Sequence, residues 1–226
     1  MENTERRQLA EFLAPAISHG LCGLYLPRFT GARIDLGQPA GDLLYPGGVY
    51  TDHDTKAAMR VFGFVAGAVP AERLQLVDAG QLVGRAGFPG GFLFGSRSNP
   101  TTPLWPAWFA ADRVFEFEFG DRWTVVWEHA NRYSMPDPSR LGRAEYESQT
   151  DYGIVARMTR REPASGGFIL AGLGGRATEG CGIYLAENWK RLHARHGRSD
   201  FCLLLRFPPP IDPARSEVVH ERGLSP

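Results

Sequence analysis

FILAGLGGRATEGCGIYLAENWKRLHARH, residues 168–196, decides the reading of this chain. Phe168, Ile169, Leu170 and Ala171 form a short unbroken apolar run, as in a strand buried on both faces. Gly172, Gly174 and Gly175 then let the backbone turn tightly and expose its amides. Thr178 has the side chain of a helix cap, and Glu179 puts an acid in the first turn. A helix is expected over 178–196, with Cys181, Leu185, Trp189 and Leu192 on one face. Lys190, Arg191, His193, Arg195 and His196 crowd its end, where the helix dipole favours positive charge, and Gly197 stops it. A strand–turn–helix of this kind aims unpaired amides at the turn, a geometry that suits a phosphate or carboxylate. The same glycines also serve simply to make a compact turn against a sheet. Their spacing is not the dinucleotide fingerprint.

Outward from this unit, more strands and helices follow. LQLVDAG (74–80), GGFLFGSRSNP (90–100), DYGIVARMTR (151–160) and FCLLLRF (201–207) read as strands. DTKAAMRVFGFVAG (54–67) reads as a helix with Asp54 as its N-cap, preceded by a strand end at GGVYTD (47–52). A short amphipathic helix fits residues 5–14. RVFEFEFG (113–120) alternates, and Gly120-Asp121 joins it to RWTVVWEH (122–129) as a hairpin. Residues 131–149 read as loop. The expected fold is α/β: a Rossmann-like three-layer domain with a mostly parallel sheet and an antiparallel hairpin at its edge or inserted. The expected organisation is a helix and irregular lead-in over 1–46, the α/β domain over 47–207, and a tail over 208–226 that is either unstructured or an edge strand near Val218 and Val219.

Composition narrows the class. The 226 residues carry 25 Lys+Arg and 25 Asp+Glu, and 43% are hydrophobic. No excess charge favours nucleic acid or an anionic membrane. Glu11 and His19 interrupt the first apolar stretch, which argues against a signal peptide, and no run is long enough to span a bilayer. Cys22, Cys181 and Cys202 are an odd number at wide spacings, fitting reduced thiols in a cytoplasmic protein rather than a disulfide framework or zinc site. No metal site is expected, and the sequence names no cofactor.

Ligands of open α/β sheets bind beyond the carboxyl ends of the strands. Three polar turns stand there. Gly172, Gly174, Gly175 and Thr178 belong to the first. Ser96, Arg97, Ser98, Asn99 and Thr101 belong to the second, where Arg97 can pair with an anion in a bidentate way and the rest offer hydroxyl and amide groups; an Asn-Pro turn bonded to its own backbone uses the same residues. The third is TDHDTK (51–56), in which Asp52 and Asp54 are carboxylates for acid–base chemistry, although capping also explains an aspartate. Glu128 beside His129 is a further acid–base candidate. Cys181 fits the core better than a reactive thiol.

Two blocks together, FLFGSRSNPTTPLW and DYGIVARMTRREPASGGFILAGLGGRATEGCGIYLAENW, resemble prokaryotic Rossmann-like domains of regulatory contexts. More loosely, they are similar to nucleoside deoxyribosyltransferase-like and nucleotide-sensing folds. The resemblance spans residues 47–200. It implies a nucleotide-type pocket at these turns; a catalytic glutamate of the transferases has no clear counterpart here. The functional expectation is a regulatory or sensor module for a nucleotide-like or other anionic small molecule. Two alternatives stand beside it: a nucleoside- or nucleotide-processing hydrolase or transferase, and a protein-interaction module using the 113–129 hairpin.

Overall fold

The computed structural model describes residues 3–17, 20–29, 33–34, 43–44, 49–85, 88–109, 114–159 and 166–224. Residues 47 and 48 of the expected strand end, residue 113 of the expected hairpin and residue 160 lie outside these.

The apolar run at 168–171 sits in a strand, β8 (Gly166–Gly172), buried along its whole length. The longer strands before it are β1 (Cys22–Leu26), β2 (Leu74–Asp78), β3 (Gly91–Phe94), β4 (Phe115–Phe119), β5 (Arg122–Trp127), β6 (Asn131–Pro136) and β7 (Asp151–Thr159). β9 (Asp200–Phe207) and β10 (Glu217–Leu224) follow. Seven of these make one sheet in the order β10-β9-β7-β8-β3-β1-β2. The helices used below are α1 (Asn3–Leu13), α2 (Asp52–Val65), α3 (Trp105–Phe109), α4 (Arg143–Glu147) and α5 (Gly175–His196).

The sheet is mixed rather than mostly parallel. β8 with β3, β3 with β1, and β1 with β2 pair parallel, whereas β7 with β8, β7 with β9, and β9 with β10 pair antiparallel. The chain between Thr159 and Gly166 is too short for a crossover, so β7 and β8 can only run antiparallel.

Side-chain alternation along the central strands builds two cores. Phe92, Phe94, Phe168 and Leu170 face α1, α2 and α5, meeting Phe12, Val61, Leu185 and Trp189. Leu93, Ile154, Ile169 and Leu204 face the other way, onto Trp105, Phe115, Val125, Trp127 and Met135. That second layer is a separate antiparallel sheet, β6-β5-β4, inserted in the chain between β3 and β7. Its hairpin is the expected one, with Phe119 opposite Trp123 across the Gly120-Asp121 turn.

Three segments differ from the sequence reading. Residues 22–26, within the expected irregular lead-in, form a fully buried strand second from the sheet edge. Gly20 and Pro27 flank it, and a strand covered on both faces shows no alternation to detect. Residues 131–136, within the expected loop, pair with β5, and Met135 is buried. The polar Asn131, Arg132 and Ser134 hide that strand. The C-terminal segment is the edge-strand alternative, β10.

Close backbone packing fixes the start of the parallel half. Gly23, Gly91 and Gly167 stand side by side in register across β1, β3 and β8. Gly91 has φ +132°, and a Cβ there would run into the Gly23 carbonyl. Among the described residues, no helix is long and apolar enough to cross a membrane.

Candidate functional site

β1, β3 and β8 run the same way, so the segments after them emerge at one end of the sheet. α2 begins at that end too. The result is an open cavity of about 850 Å³. Its walls are Thr51, His53 and Asp54 from the start of α2, Gly95–Ser98 after β3, and Gly172–Gly175 with Thr178 around the start of α5. The small sheet closes the opposite side with Phe119, Gly120, Asp121 and Trp123, and the segment after β6 adds Asp137, Ser139 and Arg140. The three polar turns marked in the sequence thus share one hollow.

The turns are bonded to one another. Ser96 Oγ donates to the Gly172 carbonyl (2.5 Å). Gly172 N–H donates to Thr178 Oγ1 (3.0 Å). Thr178 is therefore not the cap. α5 starts three residues earlier than expected, with Gly174 as N-cap, and Thr178 folds back from the first turn onto the end of β8. Likewise Thr51, not Asp54, caps α2: its Oγ1 accepts from Asp54 N–H (3.1 Å). The Asp54 side chain is buried, and burial raises its pKa.

The amides at the start of α5 already have an acceptor. Asp151, 0% exposed at the start of β7, lies beneath them. Its Oδ1 accepts from Gly174 N–H (3.1 Å) and Tyr152 N–H (2.7 Å), and its Oδ2 accepts from Tyr146 Oη (2.7 Å). The Ala177 amide bonds the same carboxylate. Tyr146 Oη in turn accepts from Arg176 N–H (3.3 Å). Desolvation pushes the Asp151 carboxyl up to about 6 against the pull of these donors. The chain thus supplies its own anion to this helix start, and Gly174 is glycine because a Cβ would strike Asp151 Oδ2 at 2.5 Å and overlap the Tyr146 hydroxyl. Arg176 turns away, to Glu147 (2.5 Å) and the Ile211 carbonyl (2.8 Å).

Positive charge for a ligand comes instead from Arg97. Arg140 is held by Asp121 (2.9 Å) and Asp137 (3.3 Å). Arg97 is exposed, lies over the Phe119 ring at 5.9 Å, and its charge helps to lower the pKa of Asp137 across the cavity wall. Phe29, Phe119 and Trp123 add aromatic surface to the same hollow.

The structure adds a pair that the sequence could not assemble. His53 Nδ1 lies 2.7 Å from Glu179 Oε2, joining the first turn of α2 to the second turn of α5. A carboxylate only accepts, so Nδ1 carries a proton, and in the neutral imidazole Nε2 is then the acceptor. This is the arrangement of an oriented general base. The two residues are 126 apart in sequence, and only the side-by-side packing of α2 and α5 brings them together. That packing is close: a Cβ on Gly182 would lie 3.1 Å from Ala57 Cα.

Other candidates fall elsewhere. Asp52 is exposed and paired with Lys56 (2.6 Å), which lowers its pKa, and it does not line the cavity. Glu128 stands at the β5–β6 turn, paired with Arg222. Asn99 and Thr101 are buried in the turn itself. Asn99 Nδ2 donates to the Phe94 carbonyl (2.8 Å), and its Oδ1 accepts from Thr101 N–H (2.9 Å) and Oγ1 (2.7 Å). Cys181 is in the core, where burial raises its pKa. No group of three His, Cys, Asp or Glu side chains among the described residues could hold a metal ion.

Comparison of the chain with family models, curated proteins and solved structures gave no match.

Proposed function

We propose that this protein is a binding module for an anionic, nucleotide-like small molecule, with a regulatory or sensing role. One observation carries the reading: the exposed Arg97 guanidinium faces a cavity in which three polar turns and the Phe119 and Trp123 rings meet. A phosphate satisfies the guanidinium in a bidentate way, a planar base fits the aromatic side, and the hydroxyls of Ser98, Ser139 and Thr51 suit a sugar. The anion is held by a side chain rather than by the helix start, which Asp151 occupies. The β1–α2–β2 crossover supports reading the parallel half as a Rossmann-like unit. Three unpaired, buried thiols support a reducing, cytoplasmic setting. Isothermal titration with a panel of nucleotides tests the proposal. Binding is expected, weakened about 10- to 100-fold in Arg97→Ala, as for loss of a charge-assisted hydrogen bond. No heat with any phosphorylated ligand, or an affinity indifferent to Arg97, refutes it.

The His53–Glu179 pair favours a second reading, hydrolysis or transfer at a nucleoside or nucleotide. His53 Nε2 would take the proton of an attacking water or hydroxyl. Incubation with nucleosides and nucleotides followed by chromatography decides it. Turnover is expected to vanish in His53→Gln while binding persists; absence of turnover in the wild type rejects this reading alone.

A further inference from the structure

A second hollow, of about 660 Å³, adjoins the first. The two share the walls Ser96, Arg97 and Phe119. Arg97 therefore stands at their junction, its guanidinium over the Phe119 ring.

The two hollows differ in chemistry. The first offers hydroxyls and charged groups. The second is walled by Pro100, Pro103, Pro106, Trp105 and Phe117, with Glu116 among its lining. Its polar neighbours are already spent: Asn99 on the Phe94 carbonyl and Thr101, and Thr102 Oγ1 on the Ser96 carbonyl (2.6 Å). Trp105 Nε1 donates to Thr101 Oγ1 (3.0 Å). What remains for a ligand is apolar and aromatic surface beside a cation. Such a slot takes a flat ring and rejects a free phosphate, whose oxygens would find no partners.

We infer that the ligand is two-armed, a nucleoside diphosphate carrying a second planar ring. Its nucleoside occupies the first cavity, its phosphates lie against Arg97, and its second ring enters the proline- and aromatic-walled slot. This inference rests on the binding reading above and specifies the ligand class for it.

The test compares ADP with diadenosine diphosphate by isothermal titration, in the wild type and in two slot variants. Pro106→Trp places a bulky side chain on an exposed slot-lining position to fill the slot. Phe117→Ala removes one of its faces. Neither residue lines the first cavity. The second ring is expected to improve affinity about tenfold or more over ADP, the scale of one base–aromatic stack. Both variants should erase that gain and leave ADP binding as it was. Circular dichroism checks that each variant folds, and Pro106→Trp keeps the test decisive if Phe117→Ala does not. Arg97-dependent ADP binding with no gain from the second ring overturns the two-armed ligand alone, as does a gain that survives in Pro106→Trp. Failure of both compounds to bind overturns this inference together with the reading beneath it.

Discussion

Replacing Asp151 with asparagine isolates the energetic cost of holding a carboxylate beneath α5. The wild-type group is fully buried, and its pKa rises from 3.8 to about 6. Between those values the folded protein retains a proton that the unfolded chain has released. The group's contribution to stability is therefore complete below about pH 4 and is lost as pH rises through about 6. The shift corresponds to about 3 kcal/mol. The amide introduced by Asp151→Asn has no proton to exchange in this range, so that part of the pH dependence disappears. Urea unfolding of both proteins from about pH 4 to about pH 7.5 gives the comparison, with other titrating groups cancelling in the difference. Wild-type stability minus variant stability should fall by about 3 kcal/mol across that range. The absolute offset between the proteins is a separate matter, because the amide cannot accept from every donor that the carboxylate serves. Parallel curves would refute the reasoning: they would mean that Asp151 titrates in the fold as it does in the unfolded chain.

Further outcomes follow from individual contacts. Gly174→Ala should lose about 3 kcal/mol in urea unfolding, since its Cβ displaces the Tyr146 hydroxyl from Asp151. Gly91→Ala should be similarly damaging because the residue sits at φ +132° against the Gly23 carbonyl; a near-neutral result would contradict the close approach of these strands. Ser96→Ala, which removes a buried bond to Gly172, should cost about 1–2 kcal/mol and loosen ligand binding in the same titration used for Arg97. Nitrogen NMR should find His53 protonated at Nδ1, with Glu179→Ala yielding a tautomer mixture.

Periodicity exposes much of this fold. The strand at 168–171, the amphipathic faces of α2 and α5, and the Phe/Glu alternation of β4 all imprint a spacing on the sequence. β1 does not, because a strand covered on both faces has no polar side, and β6 does not, because it carries Asn131, Arg132 and Ser134. The turns at 51–56, 95–101 and 172–178 are visible as glycine and hydroxyl clusters, and they share one cavity. Their internal roles are not visible. Whether Asn99 faces a ligand or its own turn depends on where the Phe94 carbonyl points. Asp151 reads as the polar opening of a strand until α5 is laid over it. His53 with Glu179 is a product of tertiary packing between distant helices, and no local pattern encodes it.

At about 1.5 Å per residue, the 22 residues of α5 make a rod roughly 33 Å long. Its second turn holds Glu179 against His53 at the cavity (2.7 Å). Near its other end, Arg191, Arg195 and His196 grip a single carboxylate, Glu221 of the last strand, at 2.8, 3.2 and 2.8 Å. No proline interrupts the rod. One unbroken helix therefore ties the cavity to the far edge strand of the sheet, β10.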